Sequence, residues 1–360
     1  MNKNIFRIAL TGGPCAGKTT ALAQIIERFS DLGYLVYALP ETPTIFSNVS
    51  INFLTPDKQY FYNIEKAVLK YQIMMEDTFL ELARNAPKPV IIISDRGTMD
   101  ISAYMEPTVW QALLDELGLS DIKLRDARYD AVIHMVSAAI GAEQFYTTAN
   151  NNARTEGIEL ARSLDGKILK AWTGHPQLHI VENNVDFDVK IKSVLHDIQR
   201  LIGDDTANLK EERRKLLVRV SGEIPYGVEA EIYQTYISDT DGTSIRIRKR
   251  GLRGNYVYFM SQKHVLGENC KTIIKERQIS PDEYLSMLNH IRPEAEVVTH
   301  HILRKSFIWA EQYFELDEFL EPEGGDLLLE VRTDIGGEVK LPPFLELIDD
   351  VTDNPEYARL

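Results

Sequence analysis

The chain has 360 residues, 44% hydrophobic and 26% charged, which is room for two domains with packed cores. A formal charge of −14, from 54 acidic and 40 basic residues, argues against a broad nucleic-acid-coating surface but leaves room for a local basic pocket. No apolar run approaches the roughly 20 residues that cross a bilayer. Two cysteines give no disulfide framework, so a reducing, cytoplasmic compartment is expected.

Residues 5–10 (IFRIAL) form a short apolar run that enters a Gly-rich loop, and this predicts a first strand rather than a signal peptide. Helical spacing follows from Lys18 to a stop at Gly33. A second strand is expected at 34–39, followed by the loop PETPT, and a long helix over 57–83. The run PVIIIS (89–94) predicts a buried strand, and helical spacing returns over 99–117. Strands at 131–136 and 177–181, a polar helix over 151–172 and a closing helix over 189–202 complete the alternation. This is the pattern of an α/β P-loop fold, a parallel sheet with helices on both faces, over 1–202. Residues 203–212 read as a linker. Over 213–360 the rhythm changes to short alternating segments with one helix (PDEYLSMLNHI), which predicts an antiparallel β-barrel or tunnel with a C-terminal helical segment.

The loop is TGGPCAGKTT. Gly12, Gly17, Lys18 and Thr19 match G-x-x-x-x-G-K-[ST] between a strand and a helix. In that context the backbone of Gly12, Gly13, Pro14, Cys15, Ala16, Gly17, Lys18, Thr19 and Thr20 encloses nucleotide phosphates, with N–H donors from all of them but Pro14. Lys18 is expected on the β/γ-phosphates and the Thr19 hydroxyl on Mg²⁺, with GTP and ATP both open. Asp95 ends the third strand, the position of an acid that contacts Mg²⁺. Arg96 beside it suits a substrate phosphate or a carboxylate, and Glu41 after the second strand suits a base or a group near the metal. Arg154 and Arg162 lie eight residues apart on the 151–172 helix, where a lid arginine can neutralise charge on a transferred phosphoryl group. Asn183-Asn184-Val185-Asp186 is a loose echo of the guanine-reading motif N-K-x-D, without its lysine.

In the second half, strand periodicity puts Arg246, Arg248 and Arg250 on one face. Three like charges in a row are unfavourable unless solvent or an anion lies before them. Lys215, Lys263, Arg304 and Lys305 are further candidates for an anion site, with acids at Glu211, Glu276, Asp317 and Glu330. An ordinary solvated outer face is the alternative.

The stretches E-x-R-R-K (211–215), YQTYIS, RIRKR, K-E-R, R-K, D-E-F and L-E-V resemble the CYTH, or triphosphate tunnel, fold over roughly 211–335. The resemblance implies an antiparallel tunnel that binds triphosphate-containing ligands, often with metal-dependent hydrolysis. Two acids of the family pattern are arginines here, Arg213 and Arg332. Each swap removes a negative metal ligand and adds a bidentate donor, which favours holding an anion over hydrolysing it. TGGPCAGKTT, PETPT, SDRGTMD, KAWTGHP and FLELIDDVTDNPEYA together resemble the TRPL translocation defect protein family over nearly the whole chain. That resemblance implies guanine-nucleotide binding at the loop, an acidic-phospholipid ligand for the tunnel and peripheral membrane contact. The alternatives are a kinase that phosphorylates a small metabolite or a nucleic-acid 5′-OH, and a metal-dependent triphosphatase in the tunnel.

Overall fold

The computed structural model describes residues 5–146, 157–183, 186–203, 211–238, 244–266, 271–291, 295–321, 327–334, 337–354 and 357. Within these, the side chains of Phe145, Glu211, Glu212, Ser244, 263–266, 271–275 and Asp334 are not described. The chain forms two compact units, Met1–Asp204 and Asp205–Leu360.

The first unit alternates β1 (Ile5–Thr11), α1 (Lys18–Asp31), β2 (Leu35–Leu39), α2 (Thr42–Asn48), α3 (Lys58–Arg84) and β3 (Val90–Asp95). A 3₁₀ turn over Thr98–Tyr104 leads to α4 (Pro107–Leu117), α5 (Asp121–Arg125), β4 (Ala131–Met135), α6 (Ile158–Trp172), β5 (Leu178–Val181) and α7 (Phe187–Ile202). The strands pair in parallel in the order β2-β3-β1-β4-β5. Both faces are covered, so the strands are apolar without alternation. Phe6, Ile8, Leu10, Ile91, Ile93, Ile133 and Met135 pack under Ile25 and Phe29 of α1 and Ile191, Val194 and Ile198 of α7. Leu39, Val90 and Ile92 meet Met75 and Ala83 of α3 on the other face.

Local chemistry sets the helix boundaries. Asp57 starts α3 by accepting from the Gln59 and Tyr60 N–H groups, at 2.9 and 3.0 Å. The helical spacing over 99–117 resolves into two elements, because Pro107 forces extended backbone on Glu106 and then opens α4 itself. PETPT is not a loop throughout. Glu41 sits at the N-cap of α2, and Pro43 fits the first turn, where its missing N–H has no partner to lose.

The second unit is a nine-stranded antiparallel sheet: β6 (Glu211–Val220), β7 (Val228–Ser238), β8 (Ser244–Leu252), β9 (Asn255–Leu266), β10 (Lys271–Ile279), β11 (Glu296–Trp309), β12 (Gln312–Glu321), β13 (Leu327–Asp334) and β14 (Leu345–Asp350). The order is β10-β9-β8-β7-β11-β12-β13-β6-β14. Between β10 and β11, α8 (Pro281–Asn289) starts with a capping box, the Ser280 hydroxyl on the Glu283 N–H and the Glu283 carboxylate on the Ser280 N–H. Near the C-terminus, where the sequence suggests a helical segment, residues 345–350 form β14, which pairs with β6. Its Leu345 packs into the cluster of Phe314 and Leu329, and an alternating strand can bury such a side chain while keeping its acids out.

The sheet curls on itself. Seven strand spacings of about 4.8 Å separate β10 from β6, roughly 34 Å if flat. Yet Arg213 of β6 acts electrostatically on Glu276 of β10, and Glu330 of β13 on Arg246 of β8. The charged face is therefore the concave one. On the convex face α8 covers Ile247 and Ile279 with Tyr284, and Phe344 packs against Phe307, Phe314 and Leu345. Phe314 is fully buried, stacked on Phe307 at 5.5 Å between ring centroids. Phe314→Ala is expected to destabilise the second unit by about 3–5 kcal/mol, read as a lower denaturant midpoint in the transition followed through that unit.

Candidate functional site

β1 ends at Thr11 and α1 begins at Lys18, with the phosphate-loop residues between them. Gly12 (φ +139°) turns the chain against β4, where a Cβ would lie 2.1 Å from the Met135 carbonyl oxygen. Gly17 (φ +92°) is left-handed at the N-cap of α1, and a Cβ there would strike the Phe187 ring at 2.6 Å. Lys18, Thr19 and Thr20 open α1, whose first N–H groups have no partner within the helix. No acid lies in that first turn, so the helix end keeps its preference for an anion. The Lys18 ammonium donates to the Gly12 carbonyl at 3.3 Å. Burial and the neighbouring Arg96 push its pKa down, against the pull of Asp95 and Glu41.

The register of β1 and β3 sets Asp95 opposite Leu10, beside the start of the loop. The Asp95 Oδ1 atom is buried with no hydrogen-bond partner, and burial raises its pKa although Lys18 and Arg96 oppose the shift. Arg96 follows in the left-handed region (φ +66°), held there by its N–H on the Leu10 carbonyl at 3.0 Å and by Gln72 on its own carbonyl at 3.3 Å. Its guanidinium bridges Glu41 and Asp100. Glu41 thus accepts from Arg96 on one oxygen and from the Thr44 hydroxyl on the other, at 2.8 Å. Burial raises its pKa, but Arg96 and Lys18 win and hold it at about 2. A carboxylate so held is a poor proton acceptor near neutrality.

Two acids that sequence reasoning passed over organise the loop. Asp100 accepts from the Thr11 hydroxyl and Arg96 on Oδ1, and from the Gly97 N–H (2.9 Å) and the Trp172 indole N–H (3.0 Å) on Oδ2. Asp165 lies on the buried face of α6 and takes the Gly13 N–H at 2.7 Å and the Ser137 N–H at 3.0 Å, with His134 Nε2 at 3.3 Å. The available signal was an acid inside an apolar helical stripe, Leu164, Asp165, Ile168. Arg162, one turn earlier, is engaged: its Nε donates to the Ala139 carbonyl at 2.6 Å, and its other nitrogens meet Glu159 and Glu143. Arg154 lies outside the described residues. In the motif echo after β5, Asn183 donates to the Val136, Ser137 and Ile140 carbonyls and accepts from Lys190 at 2.6 Å, so it braces the turn after β4. Burial lowers the Lys190 pKa to about 8.

In the second unit Arg246, Arg248 and Arg250 share the concave face, as their spacing predicts. Glu276 accepts from Arg246 and Arg248 at 3.2 and 3.1 Å and from the Ser261 hydroxyl at 2.7 Å. Burial raises its pKa, and the two arginines overturn that and hold it at about 2. Arg248 is itself lowered to about 10 by burial and by Arg246, Arg250 and Arg304, with Glu276 opposing. Arg304 is fully committed to acids, bidentate on Asp317 at 2.6 Å and on Glu315 at 2.8 Å. Lys215 donates to the Tyr357 carbonyl at 2.7 Å and lies 3.7 Å from Glu330. Arg213 and Arg332 stand directly opposite each other across β6 and β13, lining a small pocket with Tyr313, Glu315 and Glu330. Lys305 does not join this set: the strand period turns it to the convex face, where it lies 3.8 Å from Glu229. Lys263 is in β9 opposite Ser244, and its side chain lies outside those described.

The pKa of Glu41 makes a test of the loop's charge network. A carboxyl at about 2 when folded and 4.5 when unfolded contributes stability that is complete above pH 4.5 and lost as pH falls toward 2. Glu41→Gln is expected to flatten that acid limb, by on the order of 2 kcal/mol after solvent screening, in thermal unfolding recorded between pH 2 and 7.

A family model described as an AAA domain matches residues 7–189. No curated protein matches the chain. Among solved structures, the inorganic triphosphatase NE1496 is 23% identical and covers 42% of this chain and 91% of its own, at a TM-score of 0.30. The PH1819 protein from Pyrococcus horikoshii OT3 is 18% identical over 36% of this chain and 79% of its own, at a TM-score of 0.25. The Hippeastrum protein HpAC1, described as having a dominant triphosphatase activity, is 13% identical over 34% of this chain and 80% of its own, at a TM-score of 0.24. Because the model spans the strand, loop, helix and Asp95 whose geometry is given above, together with the rest of the parallel sheet, the chain belongs to the AAA domain family.

Proposed function

We propose that residues 12–20 hold the polyphosphate of a nucleoside triphosphate, GTP or ATP, as its Mg²⁺ complex, and that the protein binds nucleotide more than it turns it over. The observation that carries this is the buried, unpartnered Oδ1 of Asp95 at the end of β3, beside Lys18 and the open N-terminus of α1. A buried carboxylate oxygen with no donor is unfavourable unless a cation or its water completes it. The Thr19 hydroxyl and Asp95 are the residues that would hold Mg²⁺, which when bound neutralises charge on the β- and γ-oxygens. Lys18 exchanges its bond to the Gly12 carbonyl for the phosphates. Slow turnover follows from Glu41, whose two oxygens are occupied, and from Arg162, whose nitrogens are spent on Ala139, Glu143 and Glu159.

The concave face of the second unit holds a phosphorylated anion, an acidic phospholipid headgroup by the resemblance to the TRPL translocation defect family, from which peripheral membrane contact also comes, while the cytoplasmic setting rests on the cysteine usage. The crowding that lowers Arg248 and the cross-strand pair Arg213 and Arg332 favour an anion there. The kinase reading draws on Asp95 alone, since its raised pKa suits a general base for an acceptor hydroxyl.

Calorimetric titration with Mg²⁺–GTP, Mg²⁺–ATP and inorganic triphosphate tests the first unit. Lys18→Ala is expected to weaken nucleotide binding at least a hundredfold, and absence of binding by the wild type overturns the reading. Arg246→Ala with Arg248→Ala is expected to abolish sedimentation with vesicles containing acidic phospholipid and to leave nucleotide affinity within twofold. Equal sedimentation of wild type and double variant would place the arginine row outside the ligand site.

A further inference from the structure

The two flanks of the phosphate loop differ in chemistry. On the β2 and β3 side stand Glu41, Asp95, Arg96 and Asp100, all charged. On the β4 and β5 side the loop meets the Met135 carbonyl, the Ser137 hydroxyl, the buried Asp165, whose oxygens are taken by the Gly13 and Ser137 amides and by His134, and one aromatic ring, Phe187. Phe187 opens α7, whose inward face is made by Ile191, Val194 and Ile198 in the core; Phe187 is not part of that stripe and is 45% exposed. Its ring edge lies against Gly17, at the position where a Cβ would sit 2.6 Å from Cε2. The start of α7 is anchored. Asp186 caps α7 through the Asp188 N–H at 2.9 Å, and Lys190 ties α7 to both Asn183 and the Val136 carbonyl, the latter at 2.7 Å.

Resting on the nucleotide reading above, we infer that Phe187 is the stacking wall for the nucleobase. A triphosphate seated on the loop meets its compensating charges on the β3 side, where the terminal phosphate and metal belong. The nucleoside then leaves toward β4 and β5, and among the described residues the exposed aromatic surface that touches the loop there is Phe187. A π-face held next to the phosphates accepts any base by stacking, which is sequence-tolerant and strongest for purines.

The test compares Phe187→Ala, Phe187→Leu and Phe187→Trp with wild type in full-length protein. Each is titrated with Mg²⁺–GTP, Mg²⁺–ATP and inorganic triphosphate, the loop's share of the triphosphate signal being the part that Lys18→Ala removes. The expected result is a loss of about tenfold or more in nucleotide affinity for the Ala and Leu variants, the scale of one base–aromatic stack, with loop affinity for triphosphate within twofold of wild type. Phe187→Trp is expected to retain nucleotide binding. Nucleotide affinity unchanged in Phe187→Ala overturns the inference and leaves the nucleotide reading standing. A parallel loss of triphosphate affinity also overturns it, since the ring would then act by shaping Gly17. A wild type that binds no nucleotide overturns both.

Discussion

Arg96 is the constraint around which the first unit's site is built. A guanidinium that is only about a tenth exposed needs opposite charge on more than one side, and it has Glu41 on one and Asp100 on the other. Meeting both requires the chain to turn sharply after β3, which explains an arginine in the left-handed region. The turn is secured from β1 by the Leu10 carbonyl and from α3 by Gln72. With these groups matched to one another, Asp95 is left with a buried oxygen that none of them reaches. The pairing of its neighbours is what singles out Asp95, more than its place at a strand end.

The second unit meets the same constraint differently. Its concave face carries acids and arginines from six strands, β6, β8 and β10 to β13, and they neutralise one another in sets: Arg304 with Asp317 and Glu315, Glu276 with Arg246 and Arg248. Glu276, Glu315 and Glu330 are held ionised against burial by the arginines around them, so guanidinium groups stand where a divalent cation would otherwise balance these acids. Among the described residues no cluster of three or more His, Cys, Asp or Glu side chains fits a metal ion. Anion binding by such a face rests on arginines that can trade a carboxylate for a phosphate, and Arg246 and Arg248, which share one glutamate, are better placed to do so than Arg304 with two acids of its own.

Local order and remote pairing separate what the sequence discloses from what it hides. The strand, loop and helix over residues 5–31 are legible because an apolar run, a glycine pattern and helical spacing act within a few residues of one another. The arginine row in β8 is legible for the same reason, since strand alternation is local. The helix that begins within PETPT is hidden because two prolines in five residues read as a loop, although Pro43 sits in the first turn, where a helix tolerates it. Asp100 and Asp165 are hidden because their partners, Trp172 and Gly13, come from remote elements. The neighbours Arg304 and Lys305 look alike as letters, yet alternation sends one into the acid cluster and the other to the opposite face.

The long-range pairs also join elements that would otherwise move separately. α6 carries Arg162 on its exposed side, bound to the turn after β4, and Asp165 and Trp172 on its buried side, bound to Gly13 and to Asp100. A shift of α6 along its axis would disturb the first glycine pair of the loop and the anchor of Arg96 together. Asp165 is kept ionised against burial by His134 and by the two amide donors, so loosening that contact strands a charge in a dry site. The loop and α6 therefore respond as one mechanical piece. Arg162 and Asp165 lie three residues apart on that helix, so the turn after β4 and the phosphate loop share one support.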